Sequence, residues 1–344
     1  MQSNRRNFIR TAFVGGAAAF VQPSFALQGS MQNKNKATIS VGDDHTQNII
    51  NSLKPQTQQI KAAIANRKVI IKPNNVSITT QLSATHADSL TGIIEFLKSI
   101  GVSTNDMVIA ESAASGPTLE GFENYGYNKI NSKYGVDLVD LDQEPIKRVH
   151  VISDKNFHPV FVRMSKLLLD PETFVISAAV MKTHDRVVTT LSLKNIIFGA
   201  PIKDVGFRWG GGSKKGARND KPIAHGGGYK GVNYNLFQLA PKLGPDLAVI
   251  DGFQGMEGNG PVGGTPVDHK IAVSSLHWYS ADRTALELMG IDVADVGYMN
   301  YCAQAGMGEI DVNKIQQLGE PIKGNIKKYK LSTKFKDQLM WKET

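Results

Sequence analysis

An apolar run from Phe174 to Met181 lies near the middle of the chain and ends abruptly in Lys182, Thr183 and His184. A run of this length and character predicts a buried parallel strand. In open α/β sheets, ligands bind beyond the carboxyl ends of the strands. The pattern therefore predicts that Lys182 and His184 lie at a functional site.

The same pattern of a short apolar run followed by polar groups occurs elsewhere in the chain. The further strands that it predicts are Ala37–Gly42, Lys68–Ile71, Met107–Ala110, Val136–Leu141 and Asp246–Ile250. The helices that periodicity and helix-stop signals predict are Thr46–Ala65, interrupted at Pro55, and then Asp88–Ile100, Ser280–Met289 and Asp311–Gln317. Strands that alternate with helices predict an α/β fold, with a mostly parallel sheet and helices on both faces.

Three segments around the central strand depart from this alternation. Val149–Val162 predicts a β-hairpin, and Thr189–Ile197, which carries Lys194, predicts a short helix or turn that folds back over the strand end. Ala200–Tyr234 contains nine glycines and His225. An irregular stretch of that length in a compact domain is usually functional or mobile, and we predict a glycine-rich active-site loop.

The amino terminus has the pattern of an export signal. Arg5 and Arg6 form a twin-arginine pair, a weakly apolar run follows, and Ser24–Ala26 resembles a processing point. The apolar run is shorter than the roughly 20 residues of a membrane span, and no stretch reaches that length, so no stable membrane span is expected. The sequence predicts a periplasmic or otherwise exported protein that uses the twin-arginine translocation machinery. The predicted divisions are a signal peptide at 1–26, a lead-in at 27–67, an α/β domain at 68–320 and a basic tail at 321–344.

Composition narrows the classes of partner and cofactor. The formal charge of +8 falls to +5 when residues 1–26 and their three arginines are removed, which is too mild for a nucleic-acid-binding surface. Cys302 is the single cysteine, so no iron–sulfur cluster is expected, because such clusters generally need four sulfur ligands. The twin-arginine pathway exports folded proteins, which favours a bound metal ion or organic cofactor without identifying it.

Three kinds of chemistry remain open for the residues at the predicted strand ends and loops. Imidazoles and carboxylates suit zinc, iron, manganese or nickel, and the candidate metal ligands are His184, His225, Glu111 and Asp251. Cationic, amide and glycine groups suit a phosphate or carboxylate, and the candidate cofactor-binding residues are Lys72, Asn74, Asn195, Glu257, Gly258, Asn259 and Gly260. A desolvated lysine or a histidine suits proton transfer or nucleophilic attack, and the candidate catalytic residues are His184, Lys182 and Lys194. The alternative for each is a structural role in a turn, an ion pair or the core.

An ordered set of motifs gives the chain its resemblance to a known family. The motifs are KPN at Lys72–Asn74, ATH at Ala84–His86, Glu111 with Ser112, MKTH at Met181–His184, LKNIIFG at Leu193–Gly199, His225, DGFQGMEGNGPVGG at Asp251–Gly264, and Asp282 with Ala285. In this order they resemble the bacterial and archaeal domain-of-unknown-function family 362, from about Lys68 to about Gly319. The resemblance implies no particular reaction. A remote likeness to nickel-pincer lactate racemases, in which a lysine ten positions after a histidine carries the cofactor, implies a lysine-linked cofactor at Lys194.

These observations lead to one main hypothesis and one alternative. The main hypothesis is an exported, metal- or cofactor-dependent enzyme that acts on a small anionic substrate by proton transfer or redox chemistry. The alternative is a non-catalytic protein of the cell envelope that binds a metal or an anion. Both require that Lys72, His184, Lys194 and the loop around Asn259 meet in one cleft.

Overall fold

A nine-stranded sheet forms the centre of the fold. The structure is a computed structural model that describes residues 35–154, 156–213 and 215–343. The predicted signal peptide and the first part of the lead-in lie outside the described residues. The strands are β1 (Lys36–Val41), β2 (Lys68–Lys72), β3 (Met107–Glu111), β4 (Asp137–Asp140), β5 (Ile146–Ile152), β6 (Pro159–Ser165), β7 (Thr173–His184), β8 (Val188–Thr190), β9 (Leu247–Asn259), β10 (Gly263–Ser275) and β11 (Gln316–Gly319).

The strand order places the predicted central strand in the middle of the sheet. The order is β11-β1-β10-β9-β7-β2-β3-β4, with β8 paired to the end of β7 and with β5–β6 as a separate hairpin. The segment from β9 to β4 is parallel, whereas β10 is antiparallel to both of its neighbours. From β2 the chain moves outward to β3 and β4, and from β7 it moves the other way to β9. The strand order therefore reverses between β2 and β7, where open α/β sheets bind ligands.

Helices cover both faces of this sheet, as predicted. One apolar cluster packs Ile49, Ile93 and Phe174 on one face, and a second packs Ile196, Leu236 and Val273 on the other. The longest helix in the described residues has 16 residues, and none combines the length and apolar character needed to cross a membrane. The helices are α1 (His45–Leu53), α2 (Thr57–Ile64), α3 (Ala87–Ser99), α4 (Thr118–Asn124), α5 (Tyr127–Tyr134), α6 (Ser192–Ile197), α7 (Lys221–Ala224), α8 (Gly228–Leu243), α9 (Trp278–Leu288), α10 (Gly297–Gln304) and α11 (Phe335–Gln338).

Three local predictions differ from the structure. The predicted helix Asp311–Gln317 is a single 3₁₀ turn followed by β11, because this segment pairs with β1 along the sheet edge. The predicted irregular stretch Ala200–Tyr234 contains α7, and α8 begins at Gly228 within it. The strand predicted to end at Ile250 continues to Asn259, because its glycine-rich second half pairs with β10 in a hairpin.

Candidate active site

A small polar chamber lies where β2, β3 and β7 end. It measures about 80 Å³ and opens into a cleft of about 590 Å³. The ends of β2 and β7 meet here because the two strands are parallel neighbours. The side chains in its wall that bear on chemistry are Lys72, Asn74, Asn75, Glu111, His184, Thr190, Lys194, Asn195, Lys221 and His225.

Lys72 and Glu111 form a buried ion pair in the chamber wall. Nζ of Lys72 lies 2.9 Å from both carboxylate oxygens of Glu111 and donates to Oδ1 of Asn195 at 3.1 Å. Burial lowers the pKa of Lys72, and the Glu111 charge opposes that shift. A Cβ at Gly199 would lie 2.3 Å from this Nζ, so only glycine allows the amine its position. The Lys72 amine is therefore held by hydrogen bonds on all sides and provides a positive charge at a fixed position.

Lys194 differs from Lys72 because its amine is not held by other residues. Within the described part of the chain, its Nζ makes no hydrogen bond, and it lies 5.3 Å from the centroid of the Phe198 ring. Burial lowers the pKa of Lys194 to about 7, with the charge of Asp185 opposing the shift and that of Lys72 adding to it. A neutral amine with a free lone pair is therefore available near pH 7, which is the requirement for a lysine nucleophile or base.

Two histidines of the chamber wall are held in different tautomers. The Arg186 backbone N–H donates to Nδ1 of His184 at 2.9 Å, so neutral His184 carries its hydrogen on Nε2. The Lys221 carbonyl accepts from Nδ1 of His225 at 2.8 Å, so the lone pair of His225 is on Nε2. Burial lowers the pKa of both imidazoles, and the charge of Lys194 is the next largest cause. The pKa of His225 is lowered to about 3. Near pH 7 the pair provides one donor and one acceptor.

Lys221 is a chamber residue that the sequence reasoning missed. Burial lowers its pKa to about 7, as for Lys194. Its Nζ donates to the carbonyl oxygens of Gly199 at 2.8 Å and Pro201 at 2.6 Å. Lys221 thus ties the loop after α6 to α7. Its spacing of four residues before His225, on one helical turn, is the signal that would have found it.

Three polar atoms of the chamber wall lack hydrogen-bond partners among the described residues. They are Oδ1 of Asn74, Nδ2 of Asn75 and Oγ1 of Thr190. The amide of Asn75 is oriented because Tyr127 donates its hydroxyl to Oδ1 at 3.1 Å. Buried polar groups are normally paired, so unpaired atoms in a cavity wall indicate a polar ligand. Together with the Lys194 amine, Nδ2 of Asn75 and the Thr190 hydroxyl are donors that suit the oxygens of a small carboxylic acid, whereas Oδ1 of Asn74 can only accept.

The helix that carries Lys194 is positioned from the opposite side by one carboxylate. Oδ1 of Asp282 accepts from the backbone N–H of Ser192 at 2.8 Å, and Oδ2 accepts from that of Leu193 at 3.2 Å. The Ser192 hydroxyl donates to the same carboxylate. Asp282 therefore pairs the first amides of α6, which is the usual role of an N-terminal cap.

The wider cleft outside the chamber is mostly apolar. Val76, Pro222 and Val262 form parts of its wall, and Trp209, 63% exposed, stands at the rim. Trp209 comes from the irregular part of the glycine-rich segment, and its backbone N–H donates to the Ser115 carbonyl at 2.8 Å. A molecule bound in the chamber has room here for an apolar portion.

Lys182 and the Glu257–Gly260 segment were predicted at the site but lie outside the chamber wall. Nζ of Lys182 donates to the Ser83 carbonyl at 2.8 Å. Burial lowers the pKa of Lys182 well below its ordinary value, and the positive charge of Lys194 lowers it further. Glu257 accepts from the backbone N–H of Lys330 at 2.9 Å. Asn259 accepts from the backbone N–H of Thr333 at 2.9 Å. These contacts direct the glycine-rich hairpin toward the carboxyl-terminal segment.

The structure does not assemble the predicted metal site of His184, His225, Glu111 and Asp251. Glu111 is saturated by Lys72 and by the backbone N–H groups of Asn75 and Ser112. Asp251 lies in another cleft, 2.8 Å from Nε2 of His45. Asp251 lies within β9, where successive side chains face opposite sides of the sheet, and it is therefore separated from the two histidines.

A lysine-linked cofactor, by contrast, fits the residues of the chamber. The amine of Lys194 is free among the described residues, partly neutral near pH 7, and part of the chamber wall. The unpaired atoms of Asn75 and Thr190 are further contacts for polar groups of such a cofactor.

Comparison with known proteins supports the family that the motifs indicate. Thylakoid-associated protein sll1697 of Synechocystis sp. (strain ATCC 27184 / PCC 6803 / Kazusa) is 25% identical over 200 residues, covering 58% of this chain and 56% of that protein. The chain thus matches just over half the length of this relative. Residues 69–287, which include β2, β7 and α6, match the family described as Domain of unknown function (DUF362). The chain that builds this chamber belongs to that family.

Proposed function

We propose that this protein is an exported enzyme that uses Lys194 as a reactive amine on a small organic acid. The observation that carries the proposal is the Lys194 Nζ: buried, unpaired among the described residues, and with a pKa lowered to about 7. An ordinary surface lysine, with a pKa of about 10.4, is almost fully protonated at pH 7 and does not react in this way.

The chamber supplies the other groups that such a reaction needs. The Nδ2 of Asn75 and the hydroxyl of Thr190 are donors for a substrate carboxylate. The neutral amine adds to the carbonyl carbon of a 2-oxo acid, and its two hydrogens leave with the carbonyl oxygen as water, which gives a C=N bond to Lys194. That bond acidifies the neighbouring C–H, so the reaction class is proton transfer. Nε2 of His225 accepts this proton and returns it from the imidazolium so formed, while neutral His184 donates a hydrogen bond from Nε2 to the bound acid.

Trapping of the carbon–nitrogen bond tests this proposal. Incubation with pyruvate and sodium borohydride is expected to fix one adduct per chain, which peptide mapping places on Lys194. Lys194→Arg keeps a cation but removes the nucleophile, and should abolish the adduct, while the exposed Lys98→Arg should not. An adduct that persists in Lys194→Arg, or that is spread over exposed lysines, would contradict the proposal.

Export and a lysine-linked cofactor are tested by one further measurement. Intact mass and peptide mapping of the protein from its native host should give an amino terminus near Leu27 and show whether Lys194 carries an additional mass. When bound there, such a cofactor would supply the redox chemistry that side chains lack. A mature chain that retains Arg5 and Arg6 would exclude the predicted processing.

A binding protein without catalysis is the second candidate. It is favoured by the cations Lys72, Lys194 and Lys221 beside the unpaired amide of Asn75, since these groups also suit simple anion capture. In that case pyruvate binds without forming an adduct, and Lys194→Arg retains the affinity. The trapping experiment therefore separates the two candidates.

A further inference from the structure

A second polar cleft lies apart from the Lys194 chamber. It measures about 600 Å³ and shares no lining residue with the chamber or the apolar cleft. Its wall includes His45 at the start of α1, His86 immediately before α3, and Asp88 in the first turn of α3. The packing of α1 against α3 brings these sequence-distant groups together.

Three side chains of this cleft have the geometry of metal ligands. His45, His86 and Asp88 each offer one ligand atom, and these atoms lie within 4.8 Å of one another. Within residues 35–154, 156–213 and 215–343, no other group of three histidine, cysteine or carboxylate side chains meets this spacing. Two imidazoles and one carboxylate form a donor set that suits divalent transition metals and leaves coordination positions open.

A neighbouring carboxylate and an aromatic ring fix the orientation of His45. Nε2 of His45 lies 2.8 Å from Oδ2 of Asp251, and the Phe253 backbone N–H donates to Oδ1 of Asp251 at 3.0 Å. The Phe253 ring stacks on the His45 ring with 4.4 Å between the ring centroids. The His86 ring also stacks on His45, with 5.0 Å between the centroids. Carboxylates that hold the second nitrogen of a ligating histidine are a regular feature of metal sites.

The charge of the cleft also favours a cation. Its wall contains no lysine or arginine, and the carboxylates in it are Asp43, Asp44, Asp88, Asp251 and Asp268. Asp43 is paired with Lys270 outside the wall, which leaves the other four to act on the cleft. The negative potential of such a lining concentrates cations at the three ligands.

We propose that His45, His86 and Asp88 bind one divalent transition-metal ion, with Asp251 as the carboxylate that orients His45. At present Nδ1 of His86 accepts from the Asp88 backbone N–H at 3.2 Å, a weak contact that metal binding exchanges for a bond to the ion. The open positions face the cleft, so the ion is accessible to a small oxygen-containing ligand. The site is independent of the function proposed for Lys194.

Titration of the chelator-treated full chain with Co²⁺ tests the proposal. We expect one Co²⁺ per chain by calorimetry, accompanied by visible absorption bands of the bound ion. Asp251→Asn should weaken binding by about 10–100-fold, the usual effect of removing a partner of a ligating histidine. His158→Ala is the matched control, because His158 pairs with Asp154 at 2.8 Å in an exposed site that has no third ligand among the described residues.

His86→Ser is the decisive variant. Serine preserves the capping of α3 and removes the imidazole, so the fold is kept while stoichiometric Co²⁺ binding is lost. Absence of stoichiometric Co²⁺ binding to the unsubstituted protein would overturn the proposal, as would equal binding by His86→Ser. Lys194→Arg should bind Co²⁺ unchanged, so failure of the metal site and failure of the Lys194 chemistry give different results.

Discussion

At the scale of single residues, Lys194 and Lys221 show that a lowered pKa alone does not make a reactive amine. Burial lowers the pKa of both to about 7. The Lys221 amine is held by two carbonyl oxygens, whereas the Lys194 amine has no hydrogen-bond partner among the described residues. What the amine touches therefore decides its role: Lys221 stabilises a loop, and Lys194 is free to react.

The pH dependence of trapping at Lys194 follows from this difference. The deprotonated amine is the nucleophile, so the trapping rate should rise with pH through an apparent pKa of about 7 and then level off. His225, with a pKa lowered to about 3, remains neutral over this range and should add no second limb. The rate is measured by quantitative mass spectrometry between pH 5 and 9. An apparent pKa near 10 would show that Lys194 behaves as a surface lysine.

At the scale of elements, the six-residue helix α6 depends on a carboxylate from α9. Isolated helices this short are unstable, so α6 needs tertiary contacts to form. Asp282 provides them by pairing the backbone N–H groups of Ser192 and Leu193. Burial raises the pKa of Asp282 to about 7, and these hydrogen bonds oppose that shift. The position of Lys194 thus depends on a residue 88 positions later in the chain.

Replacement of Asp282 by Asn should reveal this coupling through its pH dependence. The folded-state pKa lies above the unfolded value of about 3.9, so the contribution of the carboxyl group is complete below pH 4 and is lost as the pH rises through about 7. Asparagine does not ionise, so the stability difference between wild type and Asp282→Asn should be larger at pH 5 than at pH 8. Urea unfolding at the two pH values measures it.

A control with the same chemical change separates the cap of α6 from a general effect of removing a carboxylate. Asp311→Asn makes the change at an exposed turn, where Oδ1 of Asp311 accepts from the backbone N–H of Asn313. Its effect on stability should be small at both pH values. A wild-type advantage over Asp282→Asn that widens toward pH 8 would contradict the assigned role.

At the scale of the whole molecule, the carboxyl-terminal segment closes over the strand that carries His184. Gln338 is buried, accepts from the backbone N–H of Val188 and donates to the His184 carbonyl at 3.0 Å. Tyr329 is buried as well, with its hydroxyl 3.6 Å from the sulfur of Met181. The segment predicted as a basic tail therefore supports the floor of the site, while its lysines remain exposed.

Loss of the Gln338 side chain should destabilise the whole fold. Gln338→Ala leaves the Val188 N–H and the His184 carbonyl buried without partners, at a cost of about 1–3 kcal/mol for each group. Lys336→Ala, two residues earlier and exposed, should change the free energy of unfolding by less than about 0.5 kcal/mol. Denaturant unfolding of the two variants measures the contrast. Equal effects would mean that the segment does not support the site.

The predictable part of the site was the part that lies directly after a strand. Lys72, Glu111 and His184 were found because an apolar run that ends in polar groups places them at one edge of a parallel sheet. Lys221 follows no strand and has only its helical spacing from His225 as a signal, and the partnership of His45 with Asp251 has none. They arise where separate segments meet, and a single sequence does not reveal those meetings.

The sequence by itself determined the α/β class, the central position of β7, the order of the polar strand ends and the family. These follow from apolar periodicity and ordered motifs, which are local properties of the chain. Only the tertiary structure decided which polar groups share a cavity. It placed Lys194 with His184 and His225, directed Glu257 and Asn259 toward the carboxyl-terminal segment, and moved Asp251 to the second cleft. The physical reason is that successive side chains of a strand point to opposite faces of the sheet, so packing on each face selects their neighbours.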